Sequence, residues 1–136
     1  MTSFSLAAAA ERFGGTILNP DVMFDSISID SRSISAGDLF FAIQGPNYNG
    51  HAFIPDIENK ICGAVVNKAD CSSDLPQWVV KDTRLALRQV AEMKREKFRG
   101  KVIAVTGSSG KTSVKETIFS ILNQRFSVCK TKGNLN

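Results

Sequence analysis

An α/β fold is predicted for this 136-residue chain: a small mixed α/β domain followed by the first β-loop-α-β unit of a parallel-sheet domain. Three observations predict it. Compact apolar runs at 39–43 and 64–66, each bounded by Gly, Asp or Asn, read as strands. Apolar residues recur at helical spacing at Leu6, Ala9, Ala10 and Phe13, and again at Ala86, Val90 and Met93. Finally, residues 102–112 read as a buried strand running into a glycine-rich turn and then a helix that begins near Lys111.

The elements follow in order. A short helix opens after Ser3 and Ser5 and stops at Gly14-Gly15. Ile27 and Ile29 alternate with polar neighbours and mark a strand; 39–43 and 64–66 follow, with a brief helix over 55–60 between them. After the Ser72-Ser73-Asp74 loop, 78–80 adds another strand. Asp82 is placed to cap a helix reaching about Phe98, with Leu87 and Ala91 beside its main stripe, and a domain boundary is set near Lys81, dividing the chain into 1–81 and 82–136. Beyond it, 102–105 is a strand, 111–125 a helix with Val114, Ile118, Ile121 and Leu122 on one face, and 126–129 the start of another strand. Such a crossover is right-handed and makes its strands parallel. One β-α-β unit cannot cover its own sheet, so an exposed apolar face and open strand edges are expected beyond Lys101, and the chain reads as the front part of something larger.

Hydrophobic residues at 43% and charged residues at 22% are ordinary for a folded globular chain and argue against disorder. The net charge of +4 comes from 17 basic and 13 acidic side chains, with a basic cluster at Lys94, Arg95, Lys97, Arg99 and Lys101. It reads as a solvated helix face, and Phe98 alone among it does not make the set of aromatic stacking positions that a base-binding surface would add, so no nucleic-acid partner is expected. Cys62, Cys71 and Cys129 are odd in number and lack C-x-x-C spacing, which indicates neither a disulfide framework nor a zinc site. No basic segment precedes the 6–10 apolar run and no apolar stretch approaches ~18 residues, so neither a signal peptide nor a membrane span is expected, and a cytoplasmic location follows.

The turn at 106–112 carries the most specific chemistry. The ordinary phosphate-loop pattern is G-x-x-x-x-G-K-[ST], but Val105 stands where its first glycine belongs. What remains is Thr106-Gly107-Ser108-Ser109-Gly110-Lys111-Thr112, followed by Ser113. Gly107 and Gly110 let backbone N–H groups close on a phosphate, Lys111 neutralises the β and γ oxygens as the catalytic cation, and the Thr112 hydroxyl suits Mg²⁺. A Gly/Ser turn that binds nothing is the structural alternative; the Lys-Thr pair in a strand-loop-helix context favours nucleotide phosphates, with ATP and Mg²⁺ as cofactors.

The segment T-G-S-S-G-K-T-S-V-K-E resembles the ATP-binding loop of the Mur ligases, cytoplasmic enzymes that build the peptide of bacterial peptidoglycan. The front half resembles their N-terminal domain in Asp30-Ser31-Arg32, in 36–43 (A-G-D-L-F-F-A-I) and in 45–54 (G-P-N-Y-N-G-H-A-F-I). The resemblance implies that this domain holds the UDP end of a nucleotide-sugar-peptide, with Ser31 and Arg32 near the diphosphate and Pro46, Asn47, Tyr48 and Asn49 around the uridine. Physically, Arg32 offers a bidentate fork and Tyr48 a flat surface for a base, while a salt bridge from Arg32 to Asp30 or Asp38 and simple packing of Tyr48 are the alternatives. His51, the single histidine, is given no chemical role.

Lys115-Glu116 and the closing Thr131-Lys132-Gly133-Asn134-Leu135-Asn136 resemble the family member that adds D-alanyl-D-alanine to UDP-N-acetylmuramoyl tripeptide, a monomer in its full-length form. Asn134 and Asn136 are then candidate substrate contacts, with a polar turn as the alternative. The resemblance implies an acyl phosphate, made from ATP and opened by the dipeptide amine. The family's remaining metal, adenine and dipeptide sites would lie beyond Asn136, so the chain alone is expected to be inactive. Other readings are the ligase that adds the third amino acid and a free-standing UDP-sugar binding module. A GTPase-like switch is disfavoured by Val105.

Overall fold

The computed structural model describes residues 3–132. They form two compact units, one running to Arg99 and the other starting at Gly100.

The first unit opens with β1 (Phe4–Ser5) and α1 (Leu6–Phe13), whose cap is Ser5: its side chain accepts from Ala8 N, and Gly14 at φ 83° ends the helix. Then come β2 (Thr16–Leu18), β3 (Met23–Phe24), β4 (Ile27–Ser28), a 3₁₀ turn over Ser31–Ser33, and β5 (Leu39–Phe41). A second 3₁₀ turn over Gly50–Phe53 leads into α2 (Ile54–Ile57), followed by β6 (Gly63–Val66), β7 (Gln77–Val79) and α3 (Thr83–Lys97). Asp82 caps α3 by accepting from Arg84 N at 2.8 Å and Leu85 N at 3.1 Å.

The main sheet has the order β2-β7-β6-β5-β4. Its β4–β5, β5–β6 and β6–β7 pairings are parallel; β2 closes one edge antiparallel to β7. Strands β1 and β3 make a separate antiparallel pair in which the Phe4 and Phe24 rings stack with centroids 5.9 Å apart. The two-residue period of a strand divides the central apolar residues between two cores. Leu39, Phe41, Val65 and Trp78 pack with Leu6 and Ala9 of α1 and Ala86, Val90 and Met93 of α3. Phe40, Ala42, Ala64 and Val66 pack with Ile57 and Ile61 on the other face. Each fully buried Leu, Val or Phe side chain among them contributes roughly 1.5–3 kcal/mol by leaving water.

The domain boundary was expected near Lys81, whereas the compact units divide at Arg99/Gly100. The apolar stripe of α3 covers the first unit's sheet, and an Arg12–Glu96 pair at 2.6 Å joins α1 to α3 on the surface. Of the basic cluster, Lys94, Arg95 and Lys97 lie exposed along the end of this helix, while Arg99 and Lys101 are exposed beyond it. Within it, Lys94 donates to the Asp25 carbonyl at 2.7 Å and Lys97 sits 4.1 Å from the Phe4 ring centroid.

In the second unit the loop and α4 (Lys111–Leu122) form as expected. Residues 102–105 and 126–129 are not strands among the described residues, because neither belongs to a ladder. No described residue of this unit is buried; Val102, Ile103, Val114, Ile121 and Phe126 are all exposed, the uncovered apolar surface that one β-α-β unit was expected to leave. Lys130 pairs with Glu116, and Lys115 Nζ donates to the Thr131 carbonyl at 2.8 Å, so charge contacts hold this segment along α4.

Candidate functional site

Four successive segments leave the parallel strands β4, β5, β6 and β7 at their C-terminal ends, and so emerge along one edge of the sheet. They are the Asp30-Ser31-Arg32 turn, the 44–49 loop, residues 67–70 and the start of α3. In α/β sheets this edge is where ligands bind.

Asp30 builds the first segment. Its Oδ1 accepts from Arg32 N at 3.0 Å, capping the 3₁₀ turn, and from Arg32 Nε at 2.8 Å, while Oδ2 accepts from the guanidinium at 2.7 Å. These side-chain bonds hold the Asp30 carboxyl down at about 2 and raise the Arg32 pKa. Of the two ion-pair partners weighed for Arg32, Asp30 is the one present. The Arg32 side chain is nonetheless 87% exposed, so its charge stands in solvent beside Ser31 while its Nε–Nη2 edge is held by Asp30. Asp38 has other duties: it is buried and accepts from Ser26 Oγ and from Ser35 N at 2.8 Å, shaping the turn into β5.

The 44–49 loop is a small closed structure. Gln44 and Asn49 form a bridge, Gly45 N donates to the Tyr48 carbonyl at 2.9 Å, and Gly50 N donates to the Ile43 carbonyl at 2.9 Å. The Tyr48 ring lies over Gly45, where a Cβ would clash with Tyr48 Cε1; the ring is half exposed all the same. From the far side, Arg84 donates to the Gln44 carbonyl at 3.1 Å and buried Thr83 to the Ala42 carbonyl at 3.3 Å. Pro46 and Asn47 stand exposed at the loop's tip.

A cavity of about 570 Å³ opens beside this loop, between the second 3₁₀ turn with α2 and the chain that follows β6. Asn49 lines it, together with Gln44, His51, Asn67 and Asp70; Ser31, Arg32, Pro46, Asn47 and Tyr48 do not. Within the first unit the expected UDP contacts thus sit on two neighbouring segments of one sheet edge, and only Asn49 reaches the cavity.

The phosphate loop is local to the second unit. Gly107 at φ 153° and Gly110 at φ 74° hold backbone conformations that L side chains avoid, so glycine is required there by the local backbone and not by any crowding neighbour. Gly110 is the N-cap of α4, so the N-terminal N–H groups of a twelve-residue helix face the turn formed by Thr106, Gly107, Ser108 and Ser109. Lys111 Nζ donates to the Gly107 carbonyl at 2.5 Å, keeping the ammonium against the loop, and Thr112 and Ser113 follow in the first helical turn. Donors and cation on this scale fit phosphate oxygens. Among the described residues no group of three His, Cys, Asp or Glu side chains is placed to hold a metal ion, and no helix is long and apolar enough to cross a membrane. Asn134 and Asn136 lie outside the described residues.

Sequence reasoning missed His51, Asn67, Thr83 and Arg84 as supports of the loop. Only the Asn49-Gly50-His51 spacing carried a local signal: Asn49 Oδ1 accepts from His51 N, an Asx turn. The other contacts join segments 16 to 41 residues apart.

The model of the "Mur ligase family, catalytic domain" matches residues 24–105. The UDP-N-acetylmuramoyl-tripeptide--D-alanyl-D-alanine ligase of Escherichia coli K12 is 38% identical over 136 residues, all of this chain and 30% of the relative. Its counterpart from Bacillus subtilis is 31% identical over 133 residues, 93% of this chain and 29% of the relative. Among solved structures, MurF from Acinetobacter baumannii superposes with a TM-score of 0.83 at 35% identity, covering 100% of this chain and 31% of that one. MurF ligase from Thermotoga maritima in complex with ADP gives 0.68 at 33% identity over 82% of this chain and 26% of that one. The chain spans about 30% of the length of the curated relatives it matches.

Proposed function

The chain belongs to the Mur ligase family, and on that premise we propose that it is the substrate-binding front part, with the start of the ATP-binding part, of the ligase that joins D-alanyl-D-alanine to UDP-N-acetylmuramoyl tripeptide. The observation that carries this reading is the match to ligases of that name across all 136 residues, through both the 30–49 segments and the phosphate loop. In this reading the first unit's domain binds the UDP-sugar, with Ser31 and Arg32 on the diphosphate and Pro46, Asn47, Tyr48 and Asn49 around the uridine. The loop from Thr106 to Ser113 holds the phosphates of ATP.

The reaction transfers the γ-phosphoryl group of ATP to the tripeptide carboxylate; the dipeptide amine then attacks the acyl phosphate, forming the amide and releasing inorganic phosphate. This chain's contribution is placement and charge. Lys111 exchanges the Gly107 carbonyl for phosphate oxygens and offsets the charge that phosphoryl transfer spreads over them. The Thr112 hydroxyl would be this chain's ligand for Mg²⁺, which would supply positive charge to the phosphate oxygens. We place the enzyme in the cytoplasm, where ATP is available, as a monomer when full-length.

Calorimetry tests the reading. The chain is expected to bind UDP-N-acetylmuramoyl tripeptide, and Arg32→Ala to weaken that binding about ten- to a hundred-fold, the range for losing hydrogen bonds to a charged group. Lys111→Ala is expected to leave it unchanged. With ATP and D-alanyl-D-alanine added, the 136 residues alone should form no product; turnover by them would overturn the assignment of the missing chemistry to other parts of the enzyme. Equal binding by wild type and Arg32→Ala would remove the diphosphate site.

A further inference from the structure

His51 is the chain's single histidine, and it joins two of the four segments at the sheet edge. Its Nδ1 lies 2.9 Å from Asn49 Oδ1, and Asn67 N, just past the end of β6, donates to its Nε2 at 3.2 Å. These contacts fix the proton. A backbone N–H can only donate, so Nε2 carries a lone pair; Asn49 Oδ1 already accepts from His51 N at 3.1 Å, so that atom is the amide oxygen and the ring proton sits on Nδ1. The neutral Nδ1–H form alone satisfies both partners.

Asn49 ends the 44–49 loop, bridged to Gln44, and its side chain also caps the 3₁₀ turn that follows. Through it the imidazole ties the loop to the chain leaving β6. We propose that His51 is a positioning residue: as the Nδ1–H tautomer it fixes the uridine loop through Asn49, and protonating the ring loosens the loop and weakens nucleotide-sugar binding. The proposal rests on the reading of this loop as the uridine subsite. Protonation puts a donor on Nε2 facing the Asn67 N–H, so that bond is lost. Partial burial also disfavours the charged ring, lowering its pKa from 6.5. The charged groups around it are Glu58 at the C-terminal end of α2 and Lys68 and Asp70 after β6, which line the same cavity, and Arg84 at the start of α3, which holds the loop's other end.

Two measurements on the 136-residue chain separate the proposal from the reading beneath it. With ¹⁵N-labelled histidine, the spectrum of the free protein above pH ~7.5 should show a protonated Nδ1 and an unprotonated Nε2, the reverse of the tautomer that free imidazole side chains favour; an Nε2–H signal would overturn the clasp without any ligand. UDP-N-acetylmuramoyl tripeptide serves as the second probe because its diphosphate diester has no group titrating near neutrality. Its affinity for the wild type should be full at about pH 7.5 and fall as the pH drops below 6.5, where the ring takes up its proton. His51→Ala should bind about ten-fold more weakly at the upper pH and lose that dependence. His51→Gln, which keeps an acceptor for Asn67, should fold, bind between the two and be equally flat. Wild-type affinity in both variants, or an unchanged pH profile, would overturn the positioning role. Failure of the wild type to bind, with the Nδ1–H tautomer present, would instead overturn the uridine reading.

Discussion

The first unit surrounds its sheet with two cores, whereas the second has no buried residue among those described. Yet each carries a segment proposed above to bind a ligand. In the first, the segment after β5 is held by contacts from elsewhere in the chain, such as Arg84 to Gln44 and His51 to Asn67. In the second, two positive-φ glycines, a helix start and a lysine four residues from its carbonyl partner suffice. A phosphate loop is a property of a short sequence; a nucleotide-sugar site is a property of a folded sheet.

Truncating one apolar side chain in each unit tests that contrast most strongly. Trp78 is fully buried and donates Nε1–H to the Gly14 carbonyl at 3.0 Å. Trp78→Ala is expected to cost about 3–5 kcal/mol in urea denaturation. Ile121→Ala, at a site 62% exposed, should stay within about 0.5 kcal/mol. Comparable losses would show that the second unit has a core of its own. The helix caps give a finer test. Asp82→Ala removes the side-chain cap of α3 and should cost about 1 kcal/mol in the same assay. The cap of α4, Gly110, makes no such bond.

The smallest effect is electrostatic and confined to the first unit. Asp30 titrates at about 2 against an ordinary 3.8, so the stabilisation it contributes is present above the ordinary value and is lost as pH falls from there to about 2. A carboxyl NMR titration should place the wild-type midpoint near that lower value and return it toward the ordinary one in Arg32→Ala. An unmoved midpoint would dissociate the turn's shape from the ion pair.

Much of the first unit was legible because its signals are local. The caps Ser5 and Asp82 precede regular apolar stripes, and the run around Leu39 to Phe41 is apolar throughout because both faces of β5 are buried. Strand β2 was not legible: Thr16–Leu18 is partly exposed, and only its register with β7 makes it a strand. The 102–105 run errs in the opposite direction, with strand-forming residues but no ladder. The stripe of α3 could be read, but not the sheet it covers, and this displaced the unit boundary from Lys81 to Arg99. Likewise the motif residues of the site were visible as types, while the tautomer of His51 depends on an amide 16 residues away.

Both cations assigned to anion binding are already engaged with the chain's own oxygens, Arg32 with Asp30 and Lys111 with the Gly107 carbonyl. An arriving phosphate therefore trades partners with the protein instead of meeting a bare charge. Screening ions weaken the Arg32–Asp30 pair along with the contact that replaces it, so raising the ionic strength erodes the affinity at Arg32 less steeply than a count of its charge would suggest. At Lys111 the displaced partner is a neutral carbonyl, which screening barely touches, and the full sensitivity to salt survives there.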